Sequence, residues 1–129
     1  MESFIRTEVH GDVLLIVLDR PAKRNAFNTQ MNREFGAALG EGQRHRCVVI
    51  TGSDPGFCSG VDLRQDPADL PTSGYPIGWA EMRKSQVPII AAVNGPAVVG
   101  GLAMVAVGGE DDDHAVAVVD GAGHRPRGL

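Results

Sequence analysis

Long apolar runs are missing from this sequence, as are clustered cysteines, an excess of basic charge and, over the last fifty positions, any aromatic residue. Each absence excludes a class of protein. No apolar stretch approaches the ~18 residues of a membrane span. The start, Met1-Glu2-Ser3-Phe4, lacks the basic-then-apolar layout of a secretory signal, so a soluble cytoplasmic protein with no membrane partner is expected. Two cysteines, Cys47 and Cys58, cannot build a disulfide framework, and a reduced interior is the expectation. Twelve Lys and Arg against sixteen Asp and Glu leave a net charge of −4, which argues against an electrostatic nucleic-acid binder. Neither a P-loop nor a G-x-G-x-x-G fingerprint occurs, and Gly56 to Gly60 reads G-x-x-S-G, not the G-x-S-x-G elbow of serine hydrolases.

What is present fits one domain: 129 residues, 43% hydrophobic and 22% charged. Residues 3–9 alternate loosely through Phe4, Thr7 and Val9. His10-Gly11-Asp12 then supplies turn chemistry, and Val13 to Leu18 is a continuous apolar run, so strand, turn and buried strand predict a β-hairpin. Pro21 ends it, because a proline lacks the N–H a ladder needs. After a polar loop over 22–28, Asn28 or Thr29 can cap a helix over 29–39 that presents Met31, Phe35, Ala38 and Leu39 on one stripe, with Gly40 and Gly42 as stops. Cys47 to Gly52 reads as a second buried strand and Val87 to Val93 as a third, with Pro88 tolerable only at its start. Between them lie a glycine-punctuated loop over 53–60, a helical turn near 61–63, a polar stretch over 64–75 and a helix over 77–85. Another apolar helix is expected over 102–107, after Gly100-Gly101. Three repetitions of strand then helix make the fold class α/β with a parallel element.

Two glycine-rich turns follow two buried strands: Gly56 to Asp62, and Asn94 through Gly101. In α/β folds, ligands bind in loops at the carboxyl ends of strands. Glycine lets the backbone approach a ligand and direct its N–H groups outward, and two such groups aimed at one carbonyl oxygen form an oxyanion hole. Plain structural turns are the alternative reading of the same residues. Cys58 reads as a small buried thiol, since no basic partner stands out. Glu110 to His114 is a solvated acidic run, not a metal site, because consecutive side chains diverge. His10, His45 and His124 sit in polar contexts and are expected at the surface.

Three segments occur in order: Leu18-Asp19-Arg20-Pro21-x-x-Arg24-Asn25-Ala26-Phe27-Asn28; Val48 to Gly52 followed by Phe57-Cys58-Ser59-Gly60-Val61-Asp62-Leu63; and Pro88 to Ala97 with Gly100-Gly101. Together they resemble the crotonase superfamily, the enoyl-CoA hydratase/isomerase family. The resemblance implies a spiral of ββα units, homo-oligomers (trimers or hexamers) and acyl-CoA thioester substrates, with no cofactor beyond the coenzyme A of the substrate and no metal. Carried over residue by residue, it implies that the backbone N–H groups of Val61 and Gly100 hold the thioester oxygen and stabilise an enolate. Ser59 and the segment Val61, Asp62, Leu63 and Arg64 would line the acyl-CoA site. Lys23, Arg24, Asn25 and Ala26 would approach the nucleotide end, where basic side chains over residues 20–24 suit phosphates. A solvated turn is the alternative for those charges.

Departures from the family pattern matter equally. Ala103 falls where hydratases place their first catalytic carboxylate, nothing matches the second, and Val99 stands beside the Gly100 donor. Hydration needs a positioned acid and base, which N–H groups do not provide. From Gly108 the periodicity dissolves, and Ala115 to Val119 looks too short to complete a sheet alone. The expected organisation is a partial crotonase-like domain over 1–107, truncated after the third strand-helix unit, and an irregular tail over 108–129 in a truncated or frame-shifted homologue. Three functional readings stand: a family enzyme on acyl-CoA, a non-catalytic acyl-CoA-binding or regulatory subunit pairing with full-length homologues, and an unstable truncated product.

Overall fold

A computed structural model describes residues 2–53, 56–60, 62, 82 and 84–94, and the backbone of 115–119. Strands β1 (Ile5–His10) and β2 (Val13–Leu18) form the hairpin; a 3-10 turn (Pro21–Lys23) and helix α1 (Thr29–Gly42) follow; then come β3 (Cys47–Gly52), β4 (Ile89–Val93) and β5 (Ala115–Val119). The five strands make one sheet in the order β1-β2-β3-β4-β5. β1 pairs antiparallel with β2, and every other neighbouring pair is parallel. This is the α/β class expected, with α1 as the crossover between the parallel strands β2 and β3.

The register explains the core. Leu14 and Ile16 of β2 stand beside Val48 and Ile50 of β3, which in turn stand beside Ile89 and Ala91 of β4. All six are buried in one core cluster with Met31, Phe35, Ala38 and Leu39 of α1. The side-chain period of a strand is two, so this single register puts these residues of three strands on one face of the sheet, in the cluster that α1 joins. Phe27, just before the helix, meets Phe35 edge to face with ring centroids 5.5 Å apart. Asn28 caps the helix, its side chain accepting from the Met31 N–H at 2.9 Å, which decides between the two capping residues the sequence offers.

Four sequence expectations are corrected. First, α1 runs through Gly40 to Gly42 instead of stopping at Leu39. Gly42, the last residue of the helix, is also a point of close approach: a Cβ there would collide with the Val48 side chain, so this glycine serves packing where the helix ends. Second, β1 runs through His10, which the sequence places in the turn; it is an exposed edge strand in which only Ile5 is buried, and Val9 is 60% exposed. Third, the third strand starts at Ile89 and not Val87; the Pro88 carbonyl still accepts from the Val48 N–H at 2.9 Å, but proline has no N–H to return. Fourth, Ala115–Val119, expected to be irregular, forms β5 and pairs with β4 from Ile89↔Ala115 to Val93↔Val119. The run is too short to stand alone, but the open edge of β4 supplies a full set of backbone partners. The helices expected over 77–85 and 102–107 lie mostly or wholly outside the described residues.

Candidate functional site

Because β2, β3 and β4 are parallel, their carboxyl ends share one end of the sheet, where the turn after β2, the loop after β3 and Asn94 after β4 meet. The polypeptide leaving β2 turns sharply. Arg24 and Asn25 both take left-handed backbone conformations, at φ 51° and 59°, which asparagine tolerates better than most residues. Asn25 is fully buried. Its side-chain Oδ1 accepts from the Arg20 N–H at 2.7 Å, while Nδ2 donates to the carbonyls of Ser53, Gly56 and Phe57 at 3.2, 3.0 and 3.0 Å. An amide has two hydrogens, so three carbonyls share them. One side chain thus gathers the loop after β3.

Arg20 fastens the far end of that loop. Its Nη1 donates to the Ala26 carbonyl at 2.8 Å and to Asp62 Oδ2 at 2.9 Å, and the guanidinium lies 5.1 Å from the centre of the Phe4 ring. The two charged side chains are only 13% and 9% exposed. Between these anchors the backbones are joined directly: Ser59 N–H to the Arg24 carbonyl at 3.1 Å, Phe27 N–H to the Gly60 carbonyl at 2.7 Å, and Asp62 N–H to the Phe27 carbonyl at 2.8 Å. The Ser59 hydroxyl donates to the Lys23 carbonyl at 3.2 Å. Position 61 is therefore flanked on both sides by backbone groups held on Phe27.

The residues proposed from the sequence divide accordingly. Lys23 is half-buried and Arg24 exposed at the end of the 3-10 turn; Ala26 and Asp62 are buried; Ser59 is half-buried. Val61, Leu63, Arg64 and Gly100 lie outside the described residues, as does Ala103. Arg20, grouped by sequence with the basic residues suited to phosphate, instead pairs with Asp62. Asn25, which the resemblance sets towards the nucleotide end, is instead fully buried with its amide spent on the loop after β3; Gly52 and Asn94 emerge beside it as organising residues that no spacing singled out. Among the histidines, His10 is exposed and His45 half-buried.

Cys58 is fully buried, donates weakly to the Asn25 carbonyl and accepts from the Gly60 N–H, both at 3.4 Å. Burial pushes its thiol up to about 11 from an ordinary 9.0, against a smaller opposing effect of the Gly60 hydrogen bond. No nucleophile is poised here. A raised folded-state value means the stabilising preference for the neutral thiol is complete below about pH 9 and is lost as pH rises towards 11. Denaturant unfolding should therefore show a fall in stability between pH 8 and pH 10.5 that is smaller in Cys58→Ala; an identical fall in both would contradict the burial argument. Among the described residues no group of His, Cys, Asp or Glu is arranged to hold a metal ion, and no helix is long and apolar enough to cross a membrane.

The sequence profile of the enoyl-CoA hydratase/isomerase family matches residues 8–108, which include the pinned turn, the loop after β3 and β4. The chain belongs to the enoyl-CoA hydratase/isomerase family. A Mycobacterium bovis relative named "Probable enoyl-CoA hydratase echA6" is 39% identical over 97 residues, covering 70% of this chain and 38% of its own length. The 1,2-epoxyphenylacetyl-CoA isomerase of Escherichia coli is 35% identical over 124 residues, covering 85% of this chain and 47% of its own. The crystal structure of an enoyl-CoA hydratase from Mycobacterium smegmatis superposes with a TM-score of 0.72 at 28% identity, covering 93% of this chain and 49% of that one. The fold is accordingly the crotonase-like α/β fold, and the chain spans less than half the length of these family members.

Proposed function

We propose that this chain binds acyl-CoA thioesters and holds the thioester carbonyl oxygen with the backbone N–H groups of Val61 and Gly100. Removing a proton from the carbon beside a thioester moves an electron pair onto that oxygen. Two fixed N–H donors stabilise the resulting enolate because they need no reorganisation as the charge develops. The observation that carries this reading is the double anchoring around position 61: the Gly60 carbonyl and the Asp62 N–H both bond to Phe27, and Asp62 is also fastened by Arg20. A donor held in place stabilises developing charge without reorganising.

The names of the relatives, a hydratase and an isomerase of CoA thioesters, agree with this substrate class. Lys23 and Arg24, at the mouth of the turn, supply positive charge for the phosphates of the nucleotide. Ala103 stands where the resemblance sets a hydratase's first carboxylate, so the reading is one of binding and polarising the thioester. Homo-oligomers of the family kind belong to the same reading.

A thermal unfolding curve with acetoacetyl-CoA tests it. Ligand at about a hundredfold excess over its dissociation constant stabilises a folded binder by about 2.7 kcal/mol, a midpoint rise of roughly 10 °C for a domain of this size. A cooperative transition whose midpoint does not move would count against the proposal.

A further inference from the structure

The β3–β4 ladder ends in side chains. Backbone pairing reaches Ile50↔Ala91; beyond it the Thr51 hydroxyl donates to the Ala92 carbonyl at 3.0 Å. One step further, Asn94 pairs with Gly52 through both of its side-chain ends, Oδ1 accepting from the Gly52 N–H at 3.1 Å and Nδ2 donating to the Gly52 carbonyl at 2.7 Å. The amide occupies both backbone hydrogen-bonding groups of Gly52 at once, as a residue in an antiparallel pair does, at the end of a parallel ladder. The other side of Gly52 is equally occupied. A Cβ there would lie 2.6 Å from the Gly56 carbonyl oxygen, 2.7 Å from that of Phe57 and 2.8 Å from Phe57 Cα, all of them backbone. Those two carbonyls are the ones that Asn25 Nδ2 holds.

Asn25, the loop carbonyls, Gly52 and Asn94 thus form one continuous set of contacts. At one end the chain runs four positions from Phe57 to Val61; at the other it runs six positions from Asn94 to Gly100. We propose that Asn94 and Asn25, acting through Gly52, are positioning residues that fix the separation between the two segments bearing the oxyanion donors. The inference rests on the donor reading above and adds to it the device that sets the donor spacing. Hydrogen bonds to a single oxygen demand a spacing accurate to a fraction of an ångström, and a loop on each of two strands has that accuracy only if the strand ends are locked together.

The test titrates Asn94→Asp and Asn94→Ala with acetoacetyl-CoA and, separately, with coenzyme A, which has no thioester oxygen. Asn94→Asp keeps the acceptor for the Gly52 N–H and sets a carboxylate oxygen against the Gly52 carbonyl. Both variants should lose about tenfold or more in affinity for acetoacetyl-CoA, a loss of 1.4 kcal/mol per tenfold, while affinity for coenzyme A stays within about twofold. Lowering the pH should restore Asn94→Asp, because a protonated carboxyl again donates to the Gly52 carbonyl, and should not restore Asn94→Ala. Equal losses for both ligands, or no loss, would overturn the proposal. A wild-type chain that binds the two ligands equally would instead overturn the donor reading. Amide exchange in the wild-type chain then judges the coupling without any variant or ligand: Gly52 and Ser59 should open with one common protection, and separate openings would overturn it.

Discussion

Replacing Asn25 by alanine should lower the unfolding free energy by about 3–5 kcal/mol, an effect few single substitutions reach. The side chain is fully buried and serves three carbonyls and one N–H from two segments. Removing it leaves the buried Gly56 and Phe57 carbonyls without their donor, and a buried unsatisfied polar group costs about 1–3 kcal/mol each. Alanine also tolerates the φ of 59° less well than asparagine. Asn25→Asp is the sharper variant. It keeps the tolerance for the left-handed backbone and the acceptor for Arg20, but turns a carboxylate oxygen towards the carbonyls of Ser53, Gly56 and Phe57. Urea unfolding should find it destabilised by a similar amount. A loss under about 1 kcal/mol in either variant would mean that the loop is held by something other than this amide.

The second large effect concerns Arg20 and Asp62. Arg20→Met leaves a carboxylate buried without its cation, and Asp62→Leu leaves a guanidinium without its anion, so each single variant should lose about 3–5 kcal/mol. The double variant is expected to lose less than either single one, because two apolar side chains of similar size remove both charges together. Part of the loss persists in any Arg20 variant, since Nη1 also serves the Ala26 carbonyl. A denaturation cycle over the four proteins reads this directly. Losses that simply add would show that the 2.9 Å pair is not coupled in solution.

Sequence patterning carried most of the sheet. The runs at Val13 to Leu18 and Cys47 to Gly52 are apolar and β-branched, and the stripe Met31, Phe35, Ala38 and Leu39 has the period of a helix, so hairpin, crossover helix and parallel strands could be read from local chemistry. The elements missed depend on distant partners. Gly42 reads only as a helix stop until Val48 is found against it. Ala115–Val119 looks inert until β4 offers an edge. The same division runs through the site. The resemblance located the segments 23–26 and 57–64, but Arg20 with Asp62 and Asn94 with Gly52 are pairs separated by 42 positions. No periodicity or spacing rule joins residues that far apart. Only the folded register shows that Asn25 and Asn94 meet the backbone from opposite sides of Gly52.

The most direct test of the account compares two ligands that differ in one oxygen: acetoacetyl-CoA and the thioether analogue in which the thioester carbonyl is replaced by a methylene. Titration calorimetry on the wild-type chain measures both. If Val61 and Gly100 hold the thioester oxygen, the thioester should bind about tenfold or more tightly, the worth of a well-placed hydrogen bond or two. Equal affinities, in a chain that binds both, would show that coenzyme A alone is recognised and that no oxyanion hole is formed.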